Sequence, residues 1–195
     1  DQYKTFDNIL FIKENSPKGV YNAWNIGIEN CNAEYITNWN IDDIRHPLNI
    51  KMKYDVLKLN NNVDLVYNYY VATNTGEDFY NIDLSNKQIL EFPDNYHEYV
   101  MTACLAGPDP IWRKTMNLIV GKFDERYKIA GDWDMWIRFA KRGFKFKLIP
   151  EILCIFTIHK NNASGNSGDN ETPLIRQTHQ DCRSKTCNIS FKPAQ

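Results

Sequence analysis

The sequence has 195 residues and lacks any apolar run of 18 or more residues, the length that a membrane-spanning helix needs. It also lacks an excess of either charge: 23 basic and 24 acidic residues leave a formal net charge of -1. No basic run is longer than Lys141-Arg142, whereas proteins that bind nucleic acid through its phosphates cluster positive charge. We therefore expect no transmembrane segment and no nucleic-acid partner.

Cysteine is scarce and shows no metal-binding pattern. The five cysteines are an odd number and include no Cys-x-x-Cys pair, which argues against a zinc site or a disulfide framework. Cys182 and Cys187 are close enough in sequence to bridge, but two free thiols are the simpler interpretation. The polar start, Asp1-Gln2-Tyr3-Lys4, does not resemble a signal peptide. We therefore expect a reducing compartment, namely the cytoplasm or the cytoplasmic face of a membrane.

The sequence does contain short apolar runs that alternate with amphipathic segments, and a composition of 43% hydrophobic residues that is typical of folded proteins. This alternation predicts an α/β layer with parallel strands. We expect one domain over residues 1–168 and a C-terminal tail over 169–195. The predicted strands are 8–12, 35–39, 63–71, 144–149 and 152–158, and the predicted helices are 16–31, 46–59, 111–120 and 132–142. Residues 72–104 are expected to be irregular, with at most a hairpin and a short helix near 96–101.

Two adjacent carboxylates follow the predicted strand 35–39, in the segment Asn40-Ile41-Asp42-Asp43. In α/β proteins the carboxyl ends of parallel strands are where ligands bind. Carboxylate oxygens there suit Mg²⁺ or Mn²⁺, which bridge to phosphate oxygens. Taken alone, the pair is more often a turn that caps the next helix.

A second carboxylate pair lies in Gly131-Asp132-Trp133-Asp134-Met135-Trp136, at the start of a predicted helix. An ionised aspartate there could take a proton from an attacking hydroxyl. The alternative is that Asp132 only caps the helix. Farther along, His159 ends the last predicted strand; such histidines are usually surface residues, although a neutral imidazole can also bind a metal or a phosphate.

Taken in order, these segments resemble family-two glycosyltransferases. Residues 19–27, Gly-Val-Tyr-Asn-Ala-Trp-Asn-Ile-Gly, match a G-x-x-x-A-x-N-x-G helix, and residues 33–43 match the strand and D/N-x-D-D metal motif that follow it. Residues 121–127 resemble the GGFDE segment, residues 130–138 the ED-x-D-L-W-x-R helix, and residues 144–159 a strand pair ending in a Y-R-x-H element. The resemblance extends over roughly residues 8–165, and linked motifs are more specific than any one of them.

The resemblance implies a GT-A fold, which is a Rossmann-like mixed sheet flanked by helices. It also implies N-terminal truncation, because only one predicted strand precedes the helix that begins at Gly19, where the family usually has a nucleotide-binding βαβ unit. The implied activity is inverting, hexosyltransferase-type transfer from a nucleotide-sugar donor to a hydroxyl of a glycan or another acceptor. A divalent cation, Mn²⁺ or Mg²⁺, would assist.

The resemblance also assigns roles to individual residues. Asp132 would be the catalytic base. Asp42 would be the main metal ligand, with Asp43 and His159 supporting it. Trp133 and Asp134 would contact the acceptor. The donor side would be formed by Lys18, Asn22, Asn25, Asn40 and Asp42.

Two departures from the family pattern affect this interpretation. Asn40 stands where Asp is common, which lowers the charge at the metal motif, and Gly131 replaces the usual Glu of the base helix. A catalytically inactive relative, serving as a sugar-binding or assembly module, is therefore the alternative. A different metal-phosphate enzyme would also use these carboxylates, but the match at residues 131–136 argues against it.

Overall fold

The computed structural model describes residues 6–16, 18–74, 76–160, 162, 171–182 and 191–193. The helices in these ranges are α1 (Val20–Asn30), α2 (Asn49–Leu59), α3 (Tyr96–Tyr99), α4 (Thr115–Val120), α5 (Gly131–Lys141) and α6 (Thr172–Thr178). The strands are β1 (Tyr35–Thr37), β2 (Ile44–Arg45), β3 (Leu65–Thr73), β4 (Gln88–Leu90), β5 (Ile111–Arg113), β6 (Phe146–Thr157) and β7 (Phe191–Pro193).

Strand β3 is the centre of a mixed sheet. It pairs in parallel with β6 from Leu65 opposite Phe146 to Thr73 opposite Thr157. Its other edge is shared by β5 and β4, which are both antiparallel to it. Strand β1 pairs antiparallel with β5, β7 with β4, and β2 with β6. Strands β1, β3 and β6 therefore point in the same direction and end at the same edge of the sheet.

Helices cover both faces of this sheet because successive side chains of a strand point to opposite faces. On one face α2 covers a cluster formed by Leu57, Val66, Ile111, Ile149 and Leu153. On the other face Leu65, Tyr67 and Trp112 pack with side chains of α1, α3, α4, α5 and α6. Trp136 of α5 is fully buried there against the rings of Trp112 and Phe123. Truncating so large a core side chain costs about 3–5 kcal/mol.

Several predicted elements agree with the structure: α/β layering, the helices at 46–59 and 132–142, the strand within 63–71, and a short helix near 96–101. Gly143 follows α5 with a φ of 82°, a conformation that favours glycine. The single strands predicted at 144–149 and 152–158 form one strand, β6, whose pairing with β3 is irregular near Tyr69.

Two predictions of local structure were wrong. Residues 8–12 form no strand, because no strand in the described part of the chain pairs with them. Leu10 in this segment is 66% exposed. The helix expected over 111–120 begins only at Thr115, since Ile111–Arg113 pair with both β1 and β3. The mixed sheet that the resemblance implied is confirmed: β1, β3 and β6 run parallel to one another, and β5 lies antiparallel between β1 and β3.

The remaining differences concern helix ends and the expected tail. Helix α1 begins at Val20, after Gly19 with a φ of 106°, and Pro17 lies outside the described residues. The tail contains α6, whose Ile175 is fully buried in the core. Cys187 lies outside the described residues. Within the part of the chain that the structure describes, no helix is both long enough and apolar enough to cross a bilayer.

A cleft at the carboxyl edge of the sheet

A cleft of about 690 Å³ opens where β1, β3 and β6 end. Its walls come from α1, from the residues after β1, from the end of β6 and from the start of α5. Its polar and charged lining is Asn38, Asn40, Asp42, Lys128, Asp132, Asn162, Glu171 and Thr172. Six aromatic side chains also line it: Tyr21, Trp24, Trp39, Tyr70, Trp133 and Phe156. The cleft thus combines carboxylates with aromatic surface, and it contains both Asp42 and Asp132.

Asp42 and His159 meet at this edge. The imidazole Nε2 of His159 lies 2.8 Å from Oδ2 of Asp42, and Asn162 Nδ2 lies 3.3 Å from the same oxygen. Because β1 and β6 run in the same direction, they bring together residues that are 117 positions apart. Both side chains are about one third exposed, so the pair is accessible from solvent.

Asp43 points away from the cleft. It is buried, its Oδ1 accepts the backbone N–H of Thr157 at 3.1 Å, and its Oδ2 accepts Asn40 Nδ2 at 3.0 Å. Burial raises the pKa of Asp43 to about 6, against the opposing effect of these two hydrogen bonds. Both carboxylate oxygens are engaged, so this placement does not support the predicted metal role of Asp43. Its contacts tie the turn after β1 to the end of β6.

Asp132 faces the cleft from the first turn of α5. Its Oδ1 accepts the Tyr21 hydroxyl at 3.3 Å and the Trp133 backbone N–H at 2.8 Å, while the Cys104 thiol lies 3.5 Å from Oδ2. Burial raises the pKa of Asp132, and these hydrogen bonds oppose the shift. A carboxylate with a raised pKa beside a cleft is typical of a proton acceptor in catalysis.

Neither carboxylate pair acts as a helix cap. Leu48 is the N-cap of α2 and Ala130 that of α5, and neither helix has a side-chain capping hydrogen bond. Residues 41 and 42 do form a turn. The capping alternatives are therefore wrong for both Asp42-Asp43 and Asp132, whereas the expected turn is confirmed.

Three predicted donor residues lie outside the cleft lining. The buried Asn25 amide donates to the Phe123 carbonyl and to Glu125, and its oxygen accepts the Phe123 N–H, each at 2.9 Å. Asn22 donates to Glu125 as well, at 3.0 Å. Lys18 is exposed. The geometry thus gives Asn22 and Asn25 a structural role, since they join α1 to residues 121–127.

The two predicted acceptor residues differ in placement. Trp133 lines the cleft, although it is largely buried and its indole N–H donates to the Val100 carbonyl at 2.7 Å. Asp134 points into the protein, where its carboxylate binds Arg138 at 2.8 Å and His179 at 2.9 Å. Asp134 is not among the cleft-lining residues, so its placement does not support a contact with an acceptor.

Sequence patterns gave no sign of a buried ion cluster behind the cleft. Asp109 and Lys53 are almost fully buried, with Lys53 Nζ 2.9 Å from the carboxylate, and Asn49 donates to the same oxygen at 2.6 Å. Arg45 lies beside them, donates to the Asn38 carbonyl at 2.6 Å and stacks 4.1 Å from the Trp39 ring centroid. The cluster therefore holds two cleft-lining residues, Asn38 and Trp39, in place.

Cys104 and Glu171 are two further cleft residues that the sequence did not identify. Cys104 contacts Asp132, as described above, and the Glu171 carboxylate accepts three consecutive backbone N–H groups before α5. Neither residue belongs to a recognisable motif. Their importance depends on contacts with residues 28 to 43 positions away, which no local pattern reveals.

The side chains around Asp42 supply part of the ligand set that a divalent cation needs. Among the described residues, no group of three His, Cys, Asp or Glu side chains converges. Asp42, which lines the cleft, and His159 beside it nevertheless present a carboxylate oxygen and an imidazole nitrogen at one accessible point. Two protein ligands suit a cation whose other positions are taken by phosphate oxygens and water.

The chain matches no model of a protein family. It is similar in sequence to proteins described as uncharacterized glycosyltransferases. One, from Methanocaldococcus jannaschii, is 26% identical over 156 residues, covering 77% of this chain and 51% of the relative. Another, from Rickettsia typhi, is 28% identical over 138 residues, covering 67% of this chain and 41% of the relative. The chain thus spans about half the length of the curated relatives that it matches.

Two solved structures, both complexes with a nucleotide sugar, share the fold. S. aureus TarS 1–349 in complex with UDP-GlcNAc superposes with a TM-score of 0.61 at 11% identity, covering 83% of this chain and 46% of that one. The mannosyltransferase PcManGT from Pyrobaculum calidifontis, in complex with GDP-Man and Mn²⁺, gives 0.50 at 14% identity and covers 88% and 44%. The chain is therefore glycosyltransferase-like in sequence and in its mixed α/β fold.

Proposed function

We propose that this chain carries the catalytic site of a GT-A glycosyltransferase, which transfers a sugar from a nucleotide-sugar donor to a hydroxyl acceptor with inversion. The observation that supports this most is the presence of Asp42 and Asp132 in one cleft, with Asp42 beside His159. The relatives described as glycosyltransferases and the nucleotide-sugar complexes of the two structural neighbours agree with it.

In the proposed reaction, Asp132 accepts the proton of the acceptor hydroxyl as the acceptor oxygen forms a bond to the anomeric carbon. The bond from that carbon to the diphosphate oxygen breaks, and the nucleoside diphosphate leaves with the electron pair. The raised pKa of Asp132 suits this role, because a stronger base takes up the proton more readily. Tyr21 and Cys104 would hold the carboxylate by their hydrogen bonds.

Asp42 and His159 would hold a divalent cation, Mn²⁺ or Mg²⁺, against the donor diphosphate. A bound cation supplies positive charge that stabilises the leaving diphosphate. The Asp42 carboxylate and the His159 imidazole, which contact each other at 2.8 Å, would be the protein ligands of this cation. Asn162 already contacts this Asp42 oxygen and would keep the carboxylate oriented.

A saccharide is the acceptor class that the cleft lining favours. Aromatic rings beside hydrogen-bonding groups suit the apolar face and hydroxyls of a sugar, and Trp24 lies next to Tyr21 at a ring-centroid distance of 5.3 Å. Tyr21 in turn contacts Asp132.

Cytoplasmic function is also proposed, since the four cysteines in the described part of the chain are free thiols.

The base assignment is tested by Asp132→Asn, which preserves shape but removes the proton acceptor. Sugar transfer, measured as release of nucleoside diphosphate with a panel of saccharide acceptors, should fall by at least about 100-fold. Donor binding should stay within about twofold, because Asp132 does not contact Asp42 or His159. Retained transfer would overturn the role of Asp132. Donor binding without transfer by the wild-type chain would favour the inactive sugar-binding alternative.

A further inference from the structure

The carboxylate of Glu171 binds the loop that leads into α5. It accepts the backbone N–H groups of Lys128 at 2.8 Å, Ile129 at 3.0 Å and Ala130 at 2.8 Å. Three donors converge on one carboxylate, and hydrogen bonds to a charged acceptor are roughly twice as strong as those between neutral groups. Asp132 follows this loop directly, so the contact fixes the backbone that carries the proposed base.

Residues 171–182 are attached to the protein at several further points. Ile175 is fully buried, and the Tyr127 hydroxyl donates to Thr178 at 3.2 Å. His179 lies 2.9 Å from Asp134, and Lys141 lies 2.7 Å from Asp181. Two of these contacts are made with α5 itself, so the residues that follow α6 are attached to the first and the last turn of α5.

The attachment also shapes the cleft. Glu171 and Thr172 line it, as do Lys128, Ile129 and Ala130 on the other side of the contact. The three N–H groups are directed at Glu171 and are thereby withdrawn from any ligand. This wall therefore exposes side chains and aromatic surface beside Asp132 rather than an anion-binding row of backbone amides.

We propose that Glu171 and Thr172 form the acceptor-side wall of the cleft together with loop 128–130, and that Glu171 is a positioning residue, which holds this loop and thereby Asp132. This inference rests on the proposed function, because it assigns the wall to the acceptor. Glu171 touches no reacting atom. Its effect is exerted through the three backbone contacts alone.

The test compares Glu171→Gln with Glu151→Gln, an exposed glutamate of β6 that lies outside the cleft. Glutamine keeps the size of the side chain but replaces one acceptor oxygen by a donor that opposes the N–H groups. Amide hydrogen exchange at residues 128–130 should accelerate about tenfold or more in Glu171→Gln. The acceptor KM should rise about tenfold while donor affinity is unchanged, and Glu151→Gln should match the wild-type chain in both readouts.

Unchanged exchange at 128–130 in Glu171→Gln would overturn the contact. Faster exchange with unchanged transfer kinetics would overturn the positioning role. Absence of transfer by the wild-type chain would contradict the proposed function, whereas the exchange result would still decide whether Glu171 holds the loop.

Discussion

The ring of Tyr21 occupies the space that a side chain on residue 131 would need. A Cβ added to Gly131 would lie 2.8 Å from two ring carbons of Tyr21, closer than real Cβ contacts. The same tyrosine donates its hydroxyl to Asp132. Glycine at position 131, where the resembling glycosyltransferases usually have glutamate, therefore has a physical reason, since the ring that contacts the proposed base also excludes a larger residue.

Gly131→Ala should destabilise the protein although it lies in a helix. Replacing glycine by alanine inside a helix normally stabilises by about 0.5–1 kcal/mol, but here the ring must move, and overpacking costs about 1–3 kcal/mol. Urea unfolding measures the change. Gly27→Ala is the matched control, because Gly27 lies in α1 and has no neighbour within 4 Å of an added Cβ.

The double variant Tyr21→Ala with Gly131→Ala separates the ring clash from other effects. If the clash is the cause, the alanine at 131 should cost less stability in the Tyr21→Ala background than in the wild-type chain. Equal costs in both backgrounds would show that Tyr21 does not determine the preference for glycine.

Asp109→Asn should lower the free energy of unfolding by about 3–5 kcal/mol, because it leaves the buried Lys53 without its counter-charge. Asp55→Asn removes the partner of Lys51 in an exposed pair on the same helix as Lys53, and should change stability by less than about 1 kcal/mol. Chemical unfolding of both variants measures the difference. Similar small effects would show that the buried cluster contributes little.

Transfer activity should be lost on acidification at a pH above the ordinary aspartate range of about 4. The base acts only when ionised, and burial raises the pKa of Asp132, so activity falls as the pH drops through that raised value. The pH dependence of kcat/KM locates this limb. The hydrogen bond from the Cys104 thiol favours the ionised form of Asp132. Cys104→Ala should therefore move the acidic limb of the kcat/KM profile, where activity falls, to higher pH. A limb at or below pH 4 would contradict the assignment.

Elements with strong local patterns could be predicted from the sequence. Helix α5 has apolar residues at helical spacing, and β3 is a run of β-branched and aromatic residues, so each appears where expected. Residues 8–12 and 111–113 have similar short apolar runs with different outcomes. Only the second run lies between two strands that pair with it, and strand pairing is not a local property of the sequence.

The candidate site was predictable where it depends on motif order, and not where it depends on side-chain direction. Asp42 lines the cleft with His159 beside it because β1 and β6 end at the same edge of the sheet, and Asp132 faces the cleft from the start of α5. Asp43 and Asp134 are adjacent in sequence to cleft residues, yet each turns inward to bind other groups. Neighbouring residues on a turn or on a helix point in different directions, so a motif alone does not assign them.

Calorimetry tests most directly whether Asp42 and His159 hold a cation that binds the donor diphosphate. Titrating UDP, GDP and their sugars into the wild-type chain should show binding with Mn²⁺ and weak or no binding without it. Asp42→Ala should abolish the Mn²⁺-dependent part, whereas Asp55→Ala, a control at an exposed aspartate of α2, should leave it unchanged. No nucleotide binding with Mn²⁺, or binding that Asp42→Ala does not weaken, would contradict the claim.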